Sequence, residues 1–255
     1  MKIGYQAHKS NAGILGRRTL ERDHRHLAGL LRPGHFVLDV GCGTGAITAG
    51  IAKAVGPGGK VIGIDRNEEL LALARTEHGG IPNLRFEACD ALSLSYRGQF
   101  DIVTAARVLQ WIGEPASAIS KMKQAAKANG MIVVLDYNHA KNEWVPDPPP
   151  AFRRFYAAFL DWRHANHWDN LMADHLPELF RAAGLNDVES QSSDEVAQQS
   201  PLWPEVIGDV GARLAEAGLF TAAQSREALE CYDAWIVTDM KKQTLALRTV
   251  TGIAP

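Results

Sequence analysis

The chain is short of every signal that would mark a secreted, membrane-bound or polyanion-binding protein. It has three cysteines, Cys42, Cys89 and Cys231, odd in number and far apart. That spacing excludes a disulfide-stapled scaffold and fits a reduced compartment. The opening Met1-Lys2-Ile3-Gly4-Tyr5-Gln6 lacks the apolar core of a signal peptide, and charge breaks every apolar run well short of a membrane span. Lys and Arg number 27 against 29 Asp and Glu, for a net charge of -2, so no basic excess recruits nucleic acid. The expectation is a cytoplasmic protein with neither membrane nor nucleic acid as partner. A metal is not expected either. His164 and His167 are helix-spaced beside Asp169, Asp174 and His175, but Trp168 and Asn170 interrupt the set and no cysteine joins it.

What remains is an ordinary globular composition over 255 residues, with 46% hydrophobic and 22% charged residues, enough for one α/β domain with a full core. Residues 1–13 read as a polar arm, and Leu15–Leu31 as a helix stopped by Arg32-Pro33-Gly34. Short apolar strands then alternate with helices. Strands are expected at Phe36–Val40, Lys60–Ile64, Leu84–Ala88, Phe100–Ala105 and Met131–Leu135. Helices are expected at Ala46–Val55, Glu68–Glu77 and Ala116–Ala128. This rhythm predicts βαβ units and a parallel sheet covered on both faces.

The rhythm stops at Trp144-Val145-Pro146-Asp147-Pro148-Pro149-Pro150, which excludes helix and central strand. An aromatic helix, Phe152–Asn166, follows, then helices at His175–Ala183, Pro204–Ala217 and Ala222–Asp239. Thr221 and Gln224 form a capping box on the last of these. Val188–Ser200 is polar, a strand flanked by loop. Thr244–Thr251 alternates like a half-exposed strand.

One stretch carries chemistry. In Val37-Leu38-Asp39-Val40-Gly41-Cys42-Gly43-Thr44-Gly45 an apolar strand runs straight into three alternating glycines and then a helix. Glycine permits the dihedrals of so tight a turn and lets a ligand approach backbone. Asp65 ends the second strand 20 residues after Gly45. A carboxylate there accepts from both hydroxyls of a ribose, and it could equally cap the helix that follows. Gly41-x-Gly43-x-x-Ala46 also satisfies the relaxed dinucleotide fingerprint, which leaves a nicotinamide oxidoreductase open. Asp39, two residues before Gly41, disfavours a pyrophosphate and suits a cationic ligand.

With those residues quoted, the chain resembles the class I S-adenosylmethionine-dependent methyltransferases, in particular the small-molecule branch like ubiquinone and menaquinone C-methyltransferases. Val37–Gly45 matches that family's first motif and Val61-Ile62-Gly63-Ile64-Asp65 its second strand. Phe86-Glu87-Ala88-Cys89-Asp90-Ala91 matches the third. Phe100-Asp101-Ile102-Val103 with Val108-Leu109-Gln110-Trp111-Ile112 matches the fourth. The resemblance is strong over roughly residues 30–140, weak at the last strand and nearly absent over 141–240.

The resemblance implies a doubly wound, mostly parallel seven-stranded Rossmann-like sheet with an antiparallel final strand and a helical lid insertion. It implies one domain over 1–255: an N-terminal arm and helix (1–29), a cofactor core (30–140), a lid and substrate region (141–240) and a final strand (241–255). It implies S-adenosylmethionine as cofactor and S-adenosylhomocysteine as product. Gly41, Cys42, Gly43 and Gly45 would approach the methionine part, with Asp39 toward its ammonium. Asp65 would hold the ribose and Arg66 lie along the adenine. Asp90 and the backbone of Ala91 would meet the adenine, and Arg107 would line the methionine side. The family often has His where this chain has Gln110, which puts proton transfer at that position in doubt.

The aromatic helix at 152–166 suggests an apolar or aromatic small-molecule acceptor. A base is needed only if that acceptor must lose a proton. Asp136, Tyr137, His139, Tyr5 and His8 are the candidates, and each reads first as packing or surface. An RNA or protein acceptor, or a non-catalytic cofactor binder, is the alternative reading.

Overall fold

The computed structural model describes residues 12–198 and 202–255; Tyr5, His8 and most of the N-terminal arm lie outside them. The five expected core strands are present: β1 (Phe36–Val40), β2 (Lys60–Asp65), β3 (Leu84–Ala88), β4 (Phe100–Ala106) and β5 (Ala126–Tyr137). They pair in parallel, with β1 between β2 and β4. β10 (Leu247–Ile253) runs antiparallel to β5, and β7 (Asn186–Ser192) antiparallel to β10. The order is β3-β2-β1-β4-β5-β10-β7, seven strands with the final one reversed, as the resemblance implied. Winding changes direction at β1 and β4, so a crevice opens beyond their carboxyl ends.

Helices cover both faces because βαβ crossovers place them there. α4 (Ala46–Val55) buries Ile47, Ile51 and Val55, and α5 (Glu68–His78) buries Leu70, Leu71 and Ala74. α6 (Pro115–Ala125) buries Ile119 and Met122 on the opposite face. The expected helix to Ala128 stops at Ala125 because Ala126 pairs with Phe100 and opens β5. Local propensity at Ala126-Lys127-Ala128 is helical, and a sheet edge outcompetes it.

Leu15–Leu31 is not one helix. It divides into α1 (Ala12–Gly16), α2 (Leu20–Asp23) and α3 (Arg25–Leu30). The last break is at His24, which leaves helical geometry (φ -148°) and sends its buried Nε2 to Thr104 Oγ1, 2.9 Å away on β4.

After β5 the chain adds a second layer. β6 (Glu143–Val145) leads to α7 (Pro150–Ala165), which opens on the last proline of its run. α8 (Met172–Ala182), begun three residues before the expected His175, and β7 return to the main sheet. Then come β8 (Glu195–Ala197), α9 (Leu202–Glu216), α10 (Ala222–Thr238) and β9 (Lys242–Leu245). The capping box of Thr221 and Gln224 is formed. The expected last strand is in fact two strands in different sheets. β9 sits between β6 and β8 in a small sheet, and β10 in the large one. The break is held at Ala246, whose N–H donates to Asn142 Oδ1 (2.8 Å) and whose carbonyl accepts from Asn138 N–H (2.8 Å). α7, α9 and α10 pack together around Phe152, Phe155, Tyr232 and Leu214, forming a core that also takes in Leu135, Tyr137 and Leu247 from the large sheet.

Candidate active site

One cavity of about 260 Å³ lies over the carboxyl ends of β1 and β4, between the glycine turn and the second layer. Its geometry starts in the turn. Gly41 and Cys42 donate their N–H groups to the Ile64 carbonyl at 2.7 and 2.9 Å, and Gly43 donates to Asp65 Oδ2 at 2.9 Å. All three glycines have positive φ (74°, 55° and 75°). A Cβ on Gly41 would lie 2.5 Å from Val108, and one on Gly45 2.5 Å from the Phe86 ring. Gly45 therefore does not line the cavity; it lets α4 start against Phe86. Gly45→Ala should destabilise the fold by about 1–3 kcal/mol through strain and overpacking. Urea unfolding measures this, and a loss below half a kcal/mol would show that Phe86 yields freely.

Two carboxylates, Asp39 buried and Asp65 half-buried, stand beside the turn. Asp39 (3% exposed) accepts from the Thr48 hydroxyl at 2.6 Å. Burial pushes its carboxyl up to about 7; the Thr48 bond opposes the rise and the nearby Asp65 charge adds to it. Asp65 is raised in the same direction by burial, against the N–H groups of Asn67 and Gly43. Its Oδ1 accepts from Asn67 N–H at 2.9 Å, but the helix cap is Asn67 itself, which accepts from Glu69 and Leu70. Asp65 braces the turn without capping α5. Burial also pushes the Cys42 thiol up.

Beyond Asp65, the exposed Arg66 with Asp90 and Ala91 continues the lining. Asp90 Oδ1 accepts from Leu92 N–H at 2.8 Å and so caps the turn Ala91–Ser93.

Arg107 is at the wall but fully engaged. It has φ 64° and is 5% exposed. Nε donates to Tyr137 Oη (3.0 Å), Nη1 to the Asp23 carbonyl (3.0 Å), and Nη2 pairs with Glu195 of β8. Burial works against its charge, but Tyr137, Glu195 and Asp23 hold it above its ordinary value. Sequence reasoning missed Arg18, which also lines the cavity; burial and the Arg107 charge lower its pKa. Its position follows from the breaks between α1, α2 and α3, which no periodicity signals.

The far end of the cavity is aromatic and apolar: Trp111, Phe159, Trp203, Val206, Val210 and Leu245. Gln110, Tyr137 and His139 line it too, while Asp136 lies wholly buried behind them. Asp136 accepts from the N–H groups of Gln110 (3.1 Å) and Tyr137 (2.9 Å), and burial raises it to about 7. The sequence pointed to an aromatic helix at this end. The contribution of α9, through Trp203, Val206 and Val210, was not legible there.

Among the described residues no cluster of His, Cys, Asp or Glu could hold a metal ion, and no helix is long and apolar enough to cross a membrane.

A family profile described as a methyltransferase domain matches residues 31–184. A demethylmenaquinone methyltransferase of Staphylococcus aureus is 32% identical over 181 residues, covering 64% of this chain and 72% of that protein. An uncharacterised protein of a Streptomyces fradiae transposon is 36% identical over 104 residues, and the match spans only 30% of its length. Among solved structures, the Haemonchus contortus phosphoethanolamine N-methyltransferase 2, bound to phosphomonomethylethanolamine and S-adenosylhomocysteine, superposes with a TM-score of 0.58 at 17% identity. That match covers 91% of this chain and about half (52%) of the other. At that identity the likeness concerns the fold.

Proposed function

This chain belongs to the class I S-adenosylmethionine-dependent methyltransferases, and we propose that it transfers the methyl group to a small apolar or aromatic acceptor. The observation that carries the reading is a single cavity with two unlike ends. One holds the glycine turn with Asp39 and Asp65; the other is walled by aromatic rings.

The residues present fit the cofactor. Asp39 is a buried acid and Asp65 a half-buried one, both held at raised pKa, and Asp39's partner is a neutral hydroxyl. A ligand bearing an ammonium and a ribose diol would relieve both. Asp39 would meet the ammonium, and Asp65 the ribose hydroxyls while still holding Gly43. Arg66, Asp90 and the Ala91 backbone would border the adenine. Arg107 is committed to Tyr137, Asp23 and Glu195, so Arg18 is the better placed guanidinium for the carboxylate. When bound, S-adenosylmethionine supplies an electrophilic sulfonium methyl. The protein's own work is to align the acceptor for in-line displacement and to exclude water, which the aromatic wall does.

Calorimetry of the purified protein with S-adenosylmethionine, S-adenosylhomocysteine and NAD tests the cofactor. Binding of NAD alone would sink the reading. Formation of S-adenosylhomocysteine in the presence of phenols, quinols and amines separates an enzyme from a binder. Asp65→Ala should weaken cofactor binding by about 1–3 kcal/mol, because ribose hydroxyls lose a charged acceptor. Unchanged affinity would leave Asp65 as a brace of the turn alone.

A further inference from the structure

One positive charge on the cavity wall is not answered by the fold. Arg18 lies between α1 and α2, is half-buried and lines the cavity. Among the described residues its side chain makes no hydrogen bond and no ion pair. The titratable groups it feels are Arg107, Tyr137, Asp23 and Glu195. Both acids in that group are already committed. Asp23 Oδ2 accepts from Thr19 N–H (2.7 Å) and pairs with Arg22 (2.9 Å), and Glu195 pairs with Arg107. Arg107 is neutralised in this way and Arg18 is not. A guanidinium keeps its charge in any protein environment, so an anion is the missing piece.

A second donor faces the same cavity. Tyr137 Oη accepts from Arg107 Nε at 3.0 Å, and among the described residues nothing accepts the hydroxyl's own proton. A hydroxyl that accepts from a cation is polarised and becomes the better donor. The Tyr137 ring is fixed, stacked on His139 (centroids 5.0 Å) and packed in one cluster with Phe159, Trp203 and Leu245 of the apolar end. Cation and donor thus stand where the charged wall passes into the aromatic one.

We propose that Arg18 and the Tyr137 hydroxyl form an anion site for the carboxylate of an apolar or aromatic acid, and that the protein methylates this carboxylate to its ester. This rests on the methyltransferase reading of the cavity. A guanidinium has five donors, so Arg18 can hold the acceptor by one edge while another meets the cofactor's carboxylate. One oxygen of the acid takes the donors and the other bonds to the methyl carbon. The methyl–sulfur bond breaks and its electron pair stays on sulfur, leaving a neutral ester and a neutral thioether. No proton moves, so no base is needed. The cavity suits that chemistry. Asp39 and Asp65 stand at its cofactor end, and Asp136 and His139 Nδ1 are shut away from it. The ester has lost the charge that held the acid, which favours its release.

Two measurements test this. The first is calorimetry without cofactor, comparing 1-naphthoate with its uncharged counterpart 1-naphthamide. The wild-type protein should bind the acid about 10–100-fold more tightly, as expected for hydrogen bonds from a charged group. Arg18→Gln should erase that preference, Arg18→Lys should keep part of it, and Tyr137→Phe should reduce it. Naphthamide binding should not change in any of them. Equal binding of acid and amide by the wild type would overturn the inference, as would undiminished acid binding by Arg18→Gln. S-adenosylhomocysteine and 5′-methylthioadenosine, which lacks the amino-acid tail, separate the two sources of carboxylate. If Arg18→Gln weakens S-adenosylhomocysteine but neither methylthioadenosine nor naphthoate, the site belongs to the cofactor alone and the inference falls. The second measurement supplies S-adenosylmethionine with 1-naphthoate, benzoate and octanoate and detects methyl esters by mass spectrometry. Ester should form, and Tyr137→Phe should raise KM for the acid with S-adenosylmethionine affinity unchanged. Ester from none of the three, or methylation of 1-naphthol in their place, would overturn the inference. Absent S-adenosylmethionine binding, with the preference for naphthoate intact, would instead overturn the methyltransferase reading itself.

Discussion

Replacing Arg163 by Met is expected to cost about 3–5 kcal/mol of stability, the largest effect of any single substitution considered for this fold. The side chain is fully buried on α7. Its Nη2 donates to the carbonyls of Gln110 (3.1 Å) and Asp169 (3.2 Å), and its Nε to Asn170 Oδ1 (2.7 Å). The guanidinium lies 4.2 Å from the Trp111 ring centroid and 5.5 Å from that of Phe159. Met refills most of the volume, so the loss reports hydrogen bonds and ring contacts rather than a void. Each acceptor left dry costs about 1–3 kcal/mol, and the sum falls short of additive because the three share one guanidinium. Thermal unfolding should shift down by roughly 10 °C for a chain of this size. A loss below 1 kcal/mol would mean that water reaches those carbonyls. The same variant should lower turnover with cofactor affinity little changed, since Arg163 grips Gln110 and lies beyond the cofactor end.

Asp39→Asn should move stability and affinity in opposite directions. In the ligand-free protein Asp39 titrates near 7 because burial penalises its charge. The unfolded chain releases that proton near 4. Between these values the folded state holds a proton that the unfolded state has lost, so stability falls as pH rises from about 4 to about 7, by about 4 kcal/mol for this group. Asp136 is raised to a similar value and contributes a slope of the same sign. Asn removes the Asp39 part. The variant should be more stable than wild type at pH 8 and equal to it below pH 4, with Asp136 still supplying the residual slope. Cofactor binding should respond the other way. A cationic ammonium favours ionised Asp39, so wild-type affinity falls as pH drops below 7, up to tenfold per unit, and binding there releases a proton. The variant should bind about 10–100-fold more weakly at pH 8, as expected for losing a hydrogen bond to a charged group in a buried site, with a flatter pH profile. Calorimetry in buffers of differing ionisation heat reads the released proton. An Asn variant no more stable than wild type at pH 8 would show that Asp39 is comfortably ionised without ligand.

How far the site was legible differs from residue to residue. Asp39, the glycine turn and Asp65 lie at strand ends with fixed spacing, and backbone geometry makes such positions predictable. Gly45 belongs to the same motif yet faces Phe86, because the turn had no room for a Cβ on that side. Arg107 was assigned to the ligand by position, but its side chain is spent on Tyr137, Asp23 and Glu195. His139 was visible only as a residue past a strand. Its ring meets Gln110, 29 positions away, and no local pattern carries such a contact.

The strands themselves show the same division. Apolar periodicity located β1 to β5 because a parallel sheet buried on both faces leaves its mark on each strand separately. It could not see the break at Ala246, where alternation continues while Asn142 and Asn138 divert the backbone between two sheets. Nor could it end α6 at Ala125, where pairing with β4 overrides helix propensity. The sequence by itself determined the sheet, the cofactor-type turn and the acid that braces it, since these depend on contacts between near neighbours along the chain. Only the tertiary structure decided the pocket's aromatic end, the pairing that occupies Arg107 and the contact of His139 with Gln110. Each of those is a meeting of segments far apart in sequence, and packing, not local propensity, chose them.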